Sequence, residues 1–285
     1  MKVLIIGSNG QLGSEINSQF SNRATVIGLT HSDIEIADPD SVKTTIEMNN
    51  PDIVINTAAY HNVPKCEENI GLTMRVNAAG ALNLANVCAD RKIKFVHIST
   101  DYIFDGLKGS PYVESDLPNP LNVYAVSKLA GEYFVQNYCE RFYILRVSGI
   151  YGSVLCRAKG GNFVTTMLRA AKERELVRVV DDEILTPTPV SDIARNLWEL
   201  IQQEAFGVYH MTAEGKCSWY EFARVIFDQL KLKTPLEACK VDDFPMVVKR
   251  PTYSVLENQH LKSLGLDRMR PWREGLIEFL KINYQ

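Results

Sequence analysis

Tyr124 and Lys128 are four residues apart, so in a helix they lie on the same face. A free Tyr side chain has a pKa of about 10, and a nearby ammonium group lowers that value because it stabilises the phenolate. A Tyr–Lys pair that faces a cofactor cleft can therefore act as a proton donor. This spacing is also common on helix surfaces, so the rest of the sequence must decide whether the pair has a function.

A second chemical feature is the Ser99-Thr100 pair, which ends an apolar run at residues 93–100. This run reads as a strand, and the helix at 121–139 that carries Tyr124 follows it. Open α/β sheets bind their ligands at the carboxyl ends of the strands. A hydroxyl group placed there can hydrogen-bond a substrate carbonyl oxygen. We therefore predict that Thr100, Tyr124 and Lys128 form one catalytic site.

Three glycines, Gly7, Gly10 and Gly13, lie between the first predicted strand and the first predicted helix. Glycines at this point allow a tight turn and a close backbone approach to a pyrophosphate, and the helix N-terminus supplies N–H donors. The spacing is GxxGxxG instead of GxGxxG, and the alternative is a plain glycine-rich turn. The position directly after the first strand favours dinucleotide binding.

The end of the second predicted strand bears on the choice between NADPH and NADH. NAD-binding proteins often place an acid there for the ribose 2′-hydroxyl. Here Thr30 and His31 occupy the position, and the first acid is Asp33. His31 could face a 2′-phosphate or lie in a surface loop. The sequence leaves both cofactors open and mildly favours NADPH, which we expect to be accepted at least as well as NADH.

Strands alternate with helices through the first half of the chain. Apolar runs at 2–7, 24–29, 52–59, 93–100 and 142–149 read as strands, and helical patterns separate them, including one at 67–89. Asp38 followed by Pro39 is a typical helix start. This alternation predicts an α/β fold with a Rossmann-type, doubly wound parallel sheet. Residues 1–150 form the predicted dinucleotide-binding domain.

The pattern changes after Gly152. One helix is predicted to begin at about Phe163, and another to end at Gln203. Further helices are predicted at 218–230 and near 272–281, and strands at 178–182 and 207–211. We expect residues 151–285 to form mainly a smaller α/β substrate-binding lobe. Elements at about 189–211 are expected to return to the large sheet.

Composition excludes several classes of protein. The chain of 285 residues has 31 Lys and Arg against 34 Asp and Glu, a net charge of −3, so neither nucleic acid nor a membrane surface is an expected partner. It has no apolar stretch near the ~20 residues of a membrane-spanning helix and no signal-peptide pattern. Six scattered cysteines without a CxxC pair fit a reducing compartment. We therefore expect a cytoplasmic protein.

No spacing of His, Asp or Glu predicts a catalytic metal site. The acidic run at 181–183 reads as a solvated loop, with a substrate-binding loop as the alternative. Arg157, Lys159 and Arg250 are the candidates for holding a substrate diphosphate, because guanidinium and ammonium groups suit phosphate oxygens.

The run STDYIFDG at 99–106 resembles the signature of the dTDP-4-dehydrorhamnose reductase family, within the extended short-chain dehydrogenase/reductase superfamily. Further similar segments are NTAAY at 56–60, YAVSK at 124–128, GNF at 161–163, VVDD at 179–182, SWYEF at 218–222 and Arg250-Pro251 with Ser254. The resemblance therefore extends from residue 1 to about residue 260.

The resemblance implies a role for each matching residue. The glycine loop with Gly7 would bind the cofactor diphosphate through Gly10, Gln11 and Leu12. The adenine would lie near Glu35 and Ile36. The cofactor path would be lined by Ala58, Ala59 and Tyr60. Tyr124 would donate the proton, Lys128 would hold the nicotinamide ribose, and Thr100 would orient the substrate carbonyl with Asp101 beside it.

Two positions depart from the family pattern. Gly149 stands where the family usually has a Trp that packs on the substrate, and Pro64 stands where it often has Asp. Since glycine has no side chain, we expect extra room beside the cleft at this substrate-side position.

The implied activity is NADPH- or NADH-dependent reduction of the 4-keto group of a dTDP-6-deoxyhexose, as in the conversion of dTDP-4-dehydrorhamnose to dTDP-L-rhamnose. One alternative is a related ketoreductase for a different nucleotide sugar. Another is a non-catalytic NADP-binding regulatory subunit, which the intact Thr100, Tyr124 and Lys128 set argues against. A homodimer is compatible with the resemblance.

Overall fold

A parallel β-sheet forms the centre of the computed structural model, which describes residues 1–154, 160–244 and 248–285. The strands are β1 (Lys2–Ile6), β2 (Thr25–Leu29), β3 (Ile53–Asn56), β4 (Lys94–Thr100), β5 (Phe142–Val147), β6 (Val177–Val180), β7 (Ile184–Leu185), β8 (Gly207–His210), β9 (Cys217–Ser218) and β10 (Leu236–Cys239).

The α-helices are α1 (Gln11–Phe20), α2 (Pro39–Asn49), α3 (Val63–Glu68), α4 (Ile70–Met74), α5 (Gly80–Asp90), α6 (Val123–Tyr138), α7 (Phe163–Glu173), α8 (Val190–Ile201), α9 (Trp219–Leu230), α10 (Gln259–Ser263) and α11 (Trp272–Tyr284). A π-helical turn at Arg75–Ala79 joins α4 to α5, and short 3₁₀ turns cover Asp101–Ile103 and Val241–Asp243.

The large sheet has six strands in the order β2-β1-β3-β4-β5-β8, and every neighbouring pair is parallel. The chain leaves β1 towards one edge to form β2 and returns to the other side of β1 as β3. The carboxyl ends of β1 and β3 therefore flank the switch point where such sheets bind ligands. The predicted α/β, doubly wound parallel fold is confirmed.

Apolar helices cover both faces of this sheet. One buried cluster joins the sheet to α1 and α8 through Leu12, Ile16, Phe20, Ile193 and Leu197. The other joins it to α2, α5 and α6 through residues such as Val42, Ile46, Leu84 and Val135. Continuous apolar strands are typical of parallel sheets that are buried on both sides.

The rest of the chain packs around two small sheets. β10 pairs in parallel with β6, and β7 pairs antiparallel with β9. Helices α7, α9 and α11 share a third buried cluster with them. In contrast, α8 packs on the large sheet and β8 forms its edge next to β5.

Local sequence signals explain several helix starts. Asp38 caps α2 by accepting a hydrogen bond from the Asp40 N–H, with Pro39 following it, as the sequence predicts. Ser218 and Glu221 form a capping box at α9. The helical pattern predicted at 67–89 is confirmed, and the structure divides the segment into the end of α3, α4, the π turn and α5. The third strand also ends at Asn56, before the predicted Ala59.

Within the described ranges, no helix is both long and apolar enough to cross a membrane.

Candidate active site

The glycine loop turns tightly between β1 and α1. Gly7 has a φ of +81°, which glycine adopts without strain, and its carbonyl accepts a hydrogen bond from Gly10 N–H at 2.9 Å. A Cβ at Gly13 would lie 2.3 Å from the Gly7 oxygen, so only glycine lets the helix approach the loop this closely. Among the described residues, no side chain caps α1 at Gly10. These features fit a dinucleotide diphosphate, which needs exposed N–H donors and close backbone approach.

The Gln11 side chain turns away from the loop and is buried. Its Nε2 donates to the Ile150 carbonyl at 3.1 Å, and its Oε1 accepts from Asn162 Nδ2 at 3.0 Å. Asn162 also donates to the Gly152 carbonyl and caps α7. The predicted cofactor contact of Gln11 therefore falls to its backbone, while its side chain joins the glycine loop to the chain after β5.

The loop after β3 carries Ala58, Ala59 and Tyr60 beside the switch point. Asn77, in the π turn, accepts from the Tyr60 N–H and donates to the Tyr60 carbonyl, both at 2.8 Å. Its amide also donates to Ser127 Oγ on α6 at 2.9 Å. One buried amide thus fixes the loop to the helix that carries Tyr124 and Lys128.

Glu35 and Ile36, which are predicted to lie near the adenine, follow β2 in the chain. Ile36 is buried against Gly80, where a Cβ would come within 2.9 Å of it, and the Glu35 side chain accepts from the Ala37 N–H at 2.9 Å. Asp33 is fully exposed and accepts from both the N–H and the hydroxyl of Thr30, at 2.8 and 2.7 Å. These hydrogen bonds lower the pKa of Asp33 and bring its carboxylate to the end of β2.

Thr100 and Tyr124 meet at the carboxyl end of β4. Burial raises the pKa of Tyr124 well above its usual value, while a side-chain hydrogen bond with Thr100 acts in the opposite direction. The Thr100 hydroxyl also donates to Asp101 Oδ1 at 3.1 Å and accepts from the Tyr102 N–H at 3.2 Å. The phenol therefore keeps its proton at neutral pH and is available as a donor.

Lys128 lies one turn after Tyr124 on α6 and is buried. Its Nζ is 3.1 Å from His97 Nε2 on β4. Burial lowers the pKa of Lys128 to about 8, although the charge of Glu132 acts to raise it. Burial and the charge of Lys128 hold the pKa of His97 well below its usual value, so the imidazole is neutral.

Asp101 is buried beneath the site, where three hydroxyl groups surround its carboxylate. Oδ2 accepts from Ser148 at 2.8 Å and from Ser254 at 2.6 Å, while Oδ1 accepts from Thr100. Burial raises its pKa, and these hydrogen bonds partly oppose that shift. The carboxylate thus joins β4, β5 and the 252–256 segment, and its predicted substrate contact stays a prediction.

Arg250 is exposed at the other side of Tyr102. Burial raises the pKa of Tyr102 and of Glu183, and the positive charge of Arg250 opposes the shift in each. The Tyr102 ring lies edge-on to Tyr124, with centroids 6.3 Å apart. The structure therefore brings Arg250 close to Tyr102, the ring neighbour of Tyr124, the predicted proton donor. Arg157 and Lys159, the other diphosphate candidates, lie outside the described residues.

The expectation of extra room at Gly149 is wrong. Its φ is +52°, and a Cβ there would lie 3.0 Å from Leu185 Cδ1 and 3.1 Å from Pro187 Cα. The β7 segment therefore fills the space that a side chain would need. The role of Gly149 in substrate binding stays a prediction.

Four polar residues of the site escaped prediction from the sequence: Asn56, Asn77, His97 and Asn162. The hydrogen bonds that join them to other elements reach partners 10 to 151 positions away along the chain, which no local spacing marks. The available signals were the polar character of Asn56 and His97 inside otherwise apolar strands, and the place of Asn56 and Asn162 in segments similar to the family.

Over the described residues, no group of three or more His, Cys, Asp or Glu is placed to hold a metal ion. The five cysteines among them form no disulfide.

Comparison with known proteins gives consistent matches over the whole chain. The family model described as RmlD substrate binding domain matches residues 1–284. A dTDP-4-dehydrorhamnose reductase from Clostridium acetobutylicum is 38% identical, with a TM-score of 0.96 over 100% of both chains. The same enzyme from Bacillus anthracis, solved in complex with NADP, is 35% identical, with a TM-score of 0.94 over 99% of both chains. The spore coat polysaccharide biosynthesis protein SpsK of Bacillus subtilis is 37% identical over 281 residues, which are 98% of this chain and 97% of that protein.

Proposed function

Because the chain belongs to the dTDP-4-dehydrorhamnose reductase family, we propose that it reduces the 4-keto group of dTDP-4-dehydrorhamnose with NADPH or NADH. The observation that carries this proposal is the contact of Thr100 with Tyr124 at the carboxyl end of β4, with the buried Lys128 one turn further along α6, in the sheet whose first strand leads into the glycine loop. A protein that only bound the nucleotide would have no need of a buried phenol and amine at this edge.

The cofactor is held by residues on both sides of the switch point. In this proposal the N–H groups of Gln11 and Leu12 bind the diphosphate, with Gly7 and Gly10 shaping the turn. Glu35 and Ile36 border the adenine, Ala58, Ala59 and Tyr60 line the path between them, and Lys128 holds the nicotinamide ribose. When bound, the reduced nicotinamide supplies the hydride.

Tyr124 donates a proton to the substrate oxygen as the ketone is reduced. Its burial supports this role, since the phenol stays protonated until a stronger base develops beside it. Thr100 orients the same oxygen, and an ammonium at Lys128 stabilises the phenolate that is left. Asp101, Gly149 and Arg250 form the substrate side, with Arg250 suited to the diphosphate.

A related ketoreductase for another dTDP-4-keto-6-deoxyhexose is the second candidate. It is favoured by the Gly149 region, where Leu185 and Pro187 fill the position of the family's usual Trp side chain. The sugar-binding surface is therefore built differently here, while the reacting groups are the same.

The proposed activity is tested by following NADPH oxidation with dTDP-4-dehydrorhamnose as substrate. We expect Tyr124→Phe to bind NADPH almost normally, measured by fluorescence titration, and to lose turnover by at least ~10²-fold. Tyr138→Phe, the same substitution at an exposed position at the end of the same helix, is the matched control. Near-normal turnover of the Tyr124 variant would contradict the proposed role of Tyr124 as proton donor. Faster turnover of a different keto-sugar would favour the second candidate.

We further expect the enzyme to act in the cytoplasm as a homodimer. Support for the dimer comes from Ile70, Val126 and Tyr133, which expose apolar side chains on α4 and α6. Light scattering of the purified protein measures the assembly directly.

A further inference from the structure

His97 is a buried polar residue in the middle of the sheet and directly beneath the proposed catalytic helix. It is 1% exposed, while Lys128 and Asn56 are each 2% exposed. Its Nε2 lies 3.1 Å from Lys128 Nζ, and its Nδ1 lies 3.4 Å from Asn56 Nδ2 on the neighbouring strand. The ring therefore stands between the loop that follows β3 and the amine on α6.

The fold makes specific room for this ring. Asn56 and His97 are paired across β3 and β4, which sets their side chains on the same face. Gly131 on α6 faces the ring, and a Cβ there would lie 3.3 Å from His97 Nε2 and 2.6 Å from the Asn77 carbonyl. A larger residue at 131 would push the helix, and with it Lys128, away from β4.

Hydrogen-bond donors and acceptors restrict how protons are arranged on the three side chains. The Ala58 N–H donates to Asn56 Oδ1 at 3.1 Å, so the Asn56 amide must turn its NH₂ group towards His97. A neutral imidazole has one N–H donor and one acceptor nitrogen. When Nδ1 accepts from Asn56, Nε2–H donates to Lys128, and Lys128 is a neutral amine. When Lys128 is an ammonium it donates to Nε2, and the ring proton moves to Nδ1. There it faces the Asn56 NH₂ group, so the 3.4 Å contact with Asn56 is a hydrogen bond only when Lys128 is the amine.

We propose that His97 is a positioning residue of the reductase, which holds the Lys128 side chain in both of its protonation states by changing tautomer. The ring accepts a hydrogen bond from the ammonium and donates one to the amine, so Lys128 has a partner whichever form it takes. When Lys128 is the amine, hydrogen bonds through His97, Asn56 and the Ala58 N–H also connect it to the loop proposed to line the cofactor path.

The charged surroundings of this pair are few among the described residues. Lys128 and Glu132 lie on the same face of α6. Glu132 forms a buried ion pair with Arg146 of β5 at 2.7 Å. β3 contributes the uncharged Asn56, and the nearest aromatic neighbour on β4 is Phe95, with ring centroids 6.1 Å apart. His97 Nε2 is thus the group on β4 that forms a hydrogen bond with the Lys128 side chain.

The test compares His97→Leu, which has no acceptor, with His97→Gln, whose amide end can reach the Nε2 position and either accept or donate. The first readout is an NMR titration of the Lys128 side chain in the cofactor-free protein, with Lys128→Met to assign the signal. The second readout is the dependence of kcat on pH. The wild-type Lys128 signal is expected to titrate near pH 8.

Loss of the acceptor should disfavour the ammonium more than the amine, because hydrogen bonds to charged groups are the stronger ones. We expect His97→Leu to move the Lys128 midpoint and the alkaline limb of kcat down by about one pH unit, and to lower kcat at pH 8 about fivefold. His97→Gln should restore both to near the wild-type values. If the leucine variant does not fold, His97→Asn, which is too short to reach Lys128, takes its place with the same expected shift.

A folded leucine or asparagine variant whose Lys128 midpoint and alkaline limb match the wild type would overturn the proposal, even if its kcat fell. So would a folded glutamine variant that behaves like leucine. Although the proposal rests on the proposed reductase function, the NMR titration needs no substrate. A wrong sugar assignment would therefore leave the expected Lys128 shift intact, and the two failures can be told apart.

Discussion

Burial of Lys128 costs the folded protein stability at neutral pH. Its pKa is about 8 in the folded protein and about 10.5 when unfolded. Below pH 8 the residue is charged in both states, and the folded state bears the full cost of desolvation. Between these values the unfolded state binds more protons, so the cost diminishes as the pH rises. A residue kept at such a cost is expected to serve function instead of stability.

We predict that Lys128→Met, which keeps the length of the side chain, is more stable than the wild type at pH 7 by about 1–2 kcal/mol. The full desolvation cost is about 3 kcal/mol, and the lost hydrogen bond to His97 offsets part of it. The advantage should shrink as the pH rises from 8 to above 10. Denaturant unfolding of both proteins at pH 7 and pH 10 measures the difference. If the variant is less stable than the wild type at pH 7, the conclusion that a buried charge at Lys128 lowers the stability is contradicted.

Asp33 brings a carboxylate to the end of β2, although Thr30 and His31 occupy the positions where an acid is usual. We predict that Asp33→Asn increases the preference for NADPH over NADH about three- to tenfold at low salt, because a negative charge near a 2′-phosphate is removed. The ratio of kcat/KM for the two cofactors is the measurement. Asp40→Asn, an exposed acid on α2, is the control and should leave the ratio unchanged. An unchanged ratio in the Asp33 variant would mean that its carboxylate does not face the ribose.

Residue types and local spacing were enough to place Thr100 at a strand end and Tyr124 and Lys128 one turn apart on the following helix, while their catalytic roles stay predictions. They were not enough for Asn77, His97 or Asn162, which act through tertiary hydrogen bonds. Gly149 shows the same limit in a different way. Its missing side chain could be read directly, but the closeness of Leu185 and Pro187 depends on how the second half of the chain folds back.

The π turn between α4 and α5 is the element on which the cofactor loop depends. It places Asn77 so that one amide makes both hydrogen bonds to the Tyr60 backbone and a third to Ser127. π-helical turns occur frequently at functional sites. The sequence predicts that this segment is helical but gives no signal for the π turn within it.

We predict that Asn77→Ala lowers the free energy of unfolding by about 2–4 kcal/mol and weakens NADPH binding. It removes the Asn77 partner of the partly buried Tyr60 N–H and carbonyl, and the carbonyl keeps only the weak donor Cys66 Sγ. Ser127→Ala removes only one of the three hydrogen bonds and should cost about 1 kcal/mol with little effect on NADPH. Denaturant unfolding and fluorescence titration of both variants give the comparison. Equal losses in the two variants would show that the loop does not depend on the amide of Asn77.

At the scale of elements, long periodic segments were predictable and short ones were not. The five strands β1 to β5 and the helices α6 and α9 follow from their apolar patterns. The two-residue strands β7 and β9 carry too little pattern, and they exist because distant segments bring them together. Ile184 is held by backbone hydrogen bonds to residues 252–254, which no local sequence signal indicates.

The two predicted domains share one hydrophobic core. β8 completes the large sheet beside β5, and α8 covers the same face as α1. Gln11 and Asn162 add a buried polar link between the glycine loop and the chain beyond residue 150. A boundary at residue 150 therefore separates two halves of the sequence but cuts through the packing of the sheet.

This packing predicts that a fragment of residues 1–150 does not fold alone. Without α8, the large apolar side chains Ile193, Leu197 and Leu200 no longer cover the sheet, and β5 becomes an exposed hydrophobic edge. Each fully buried side chain of this size contributes roughly 1.5–3 kcal/mol, which together is comparable to the ~5–15 kcal/mol stability of a typical domain. We expect the fragment to lack a cooperative thermal transition and to bind no NADPH, as measured by circular dichroism and fluorescence titration. Adding the fragment 151–285 should restore both properties, because the missing helix and strand return with it. Cooperative unfolding and NADPH binding by the first fragment alone would show instead that the nucleotide-binding half is an independent domain.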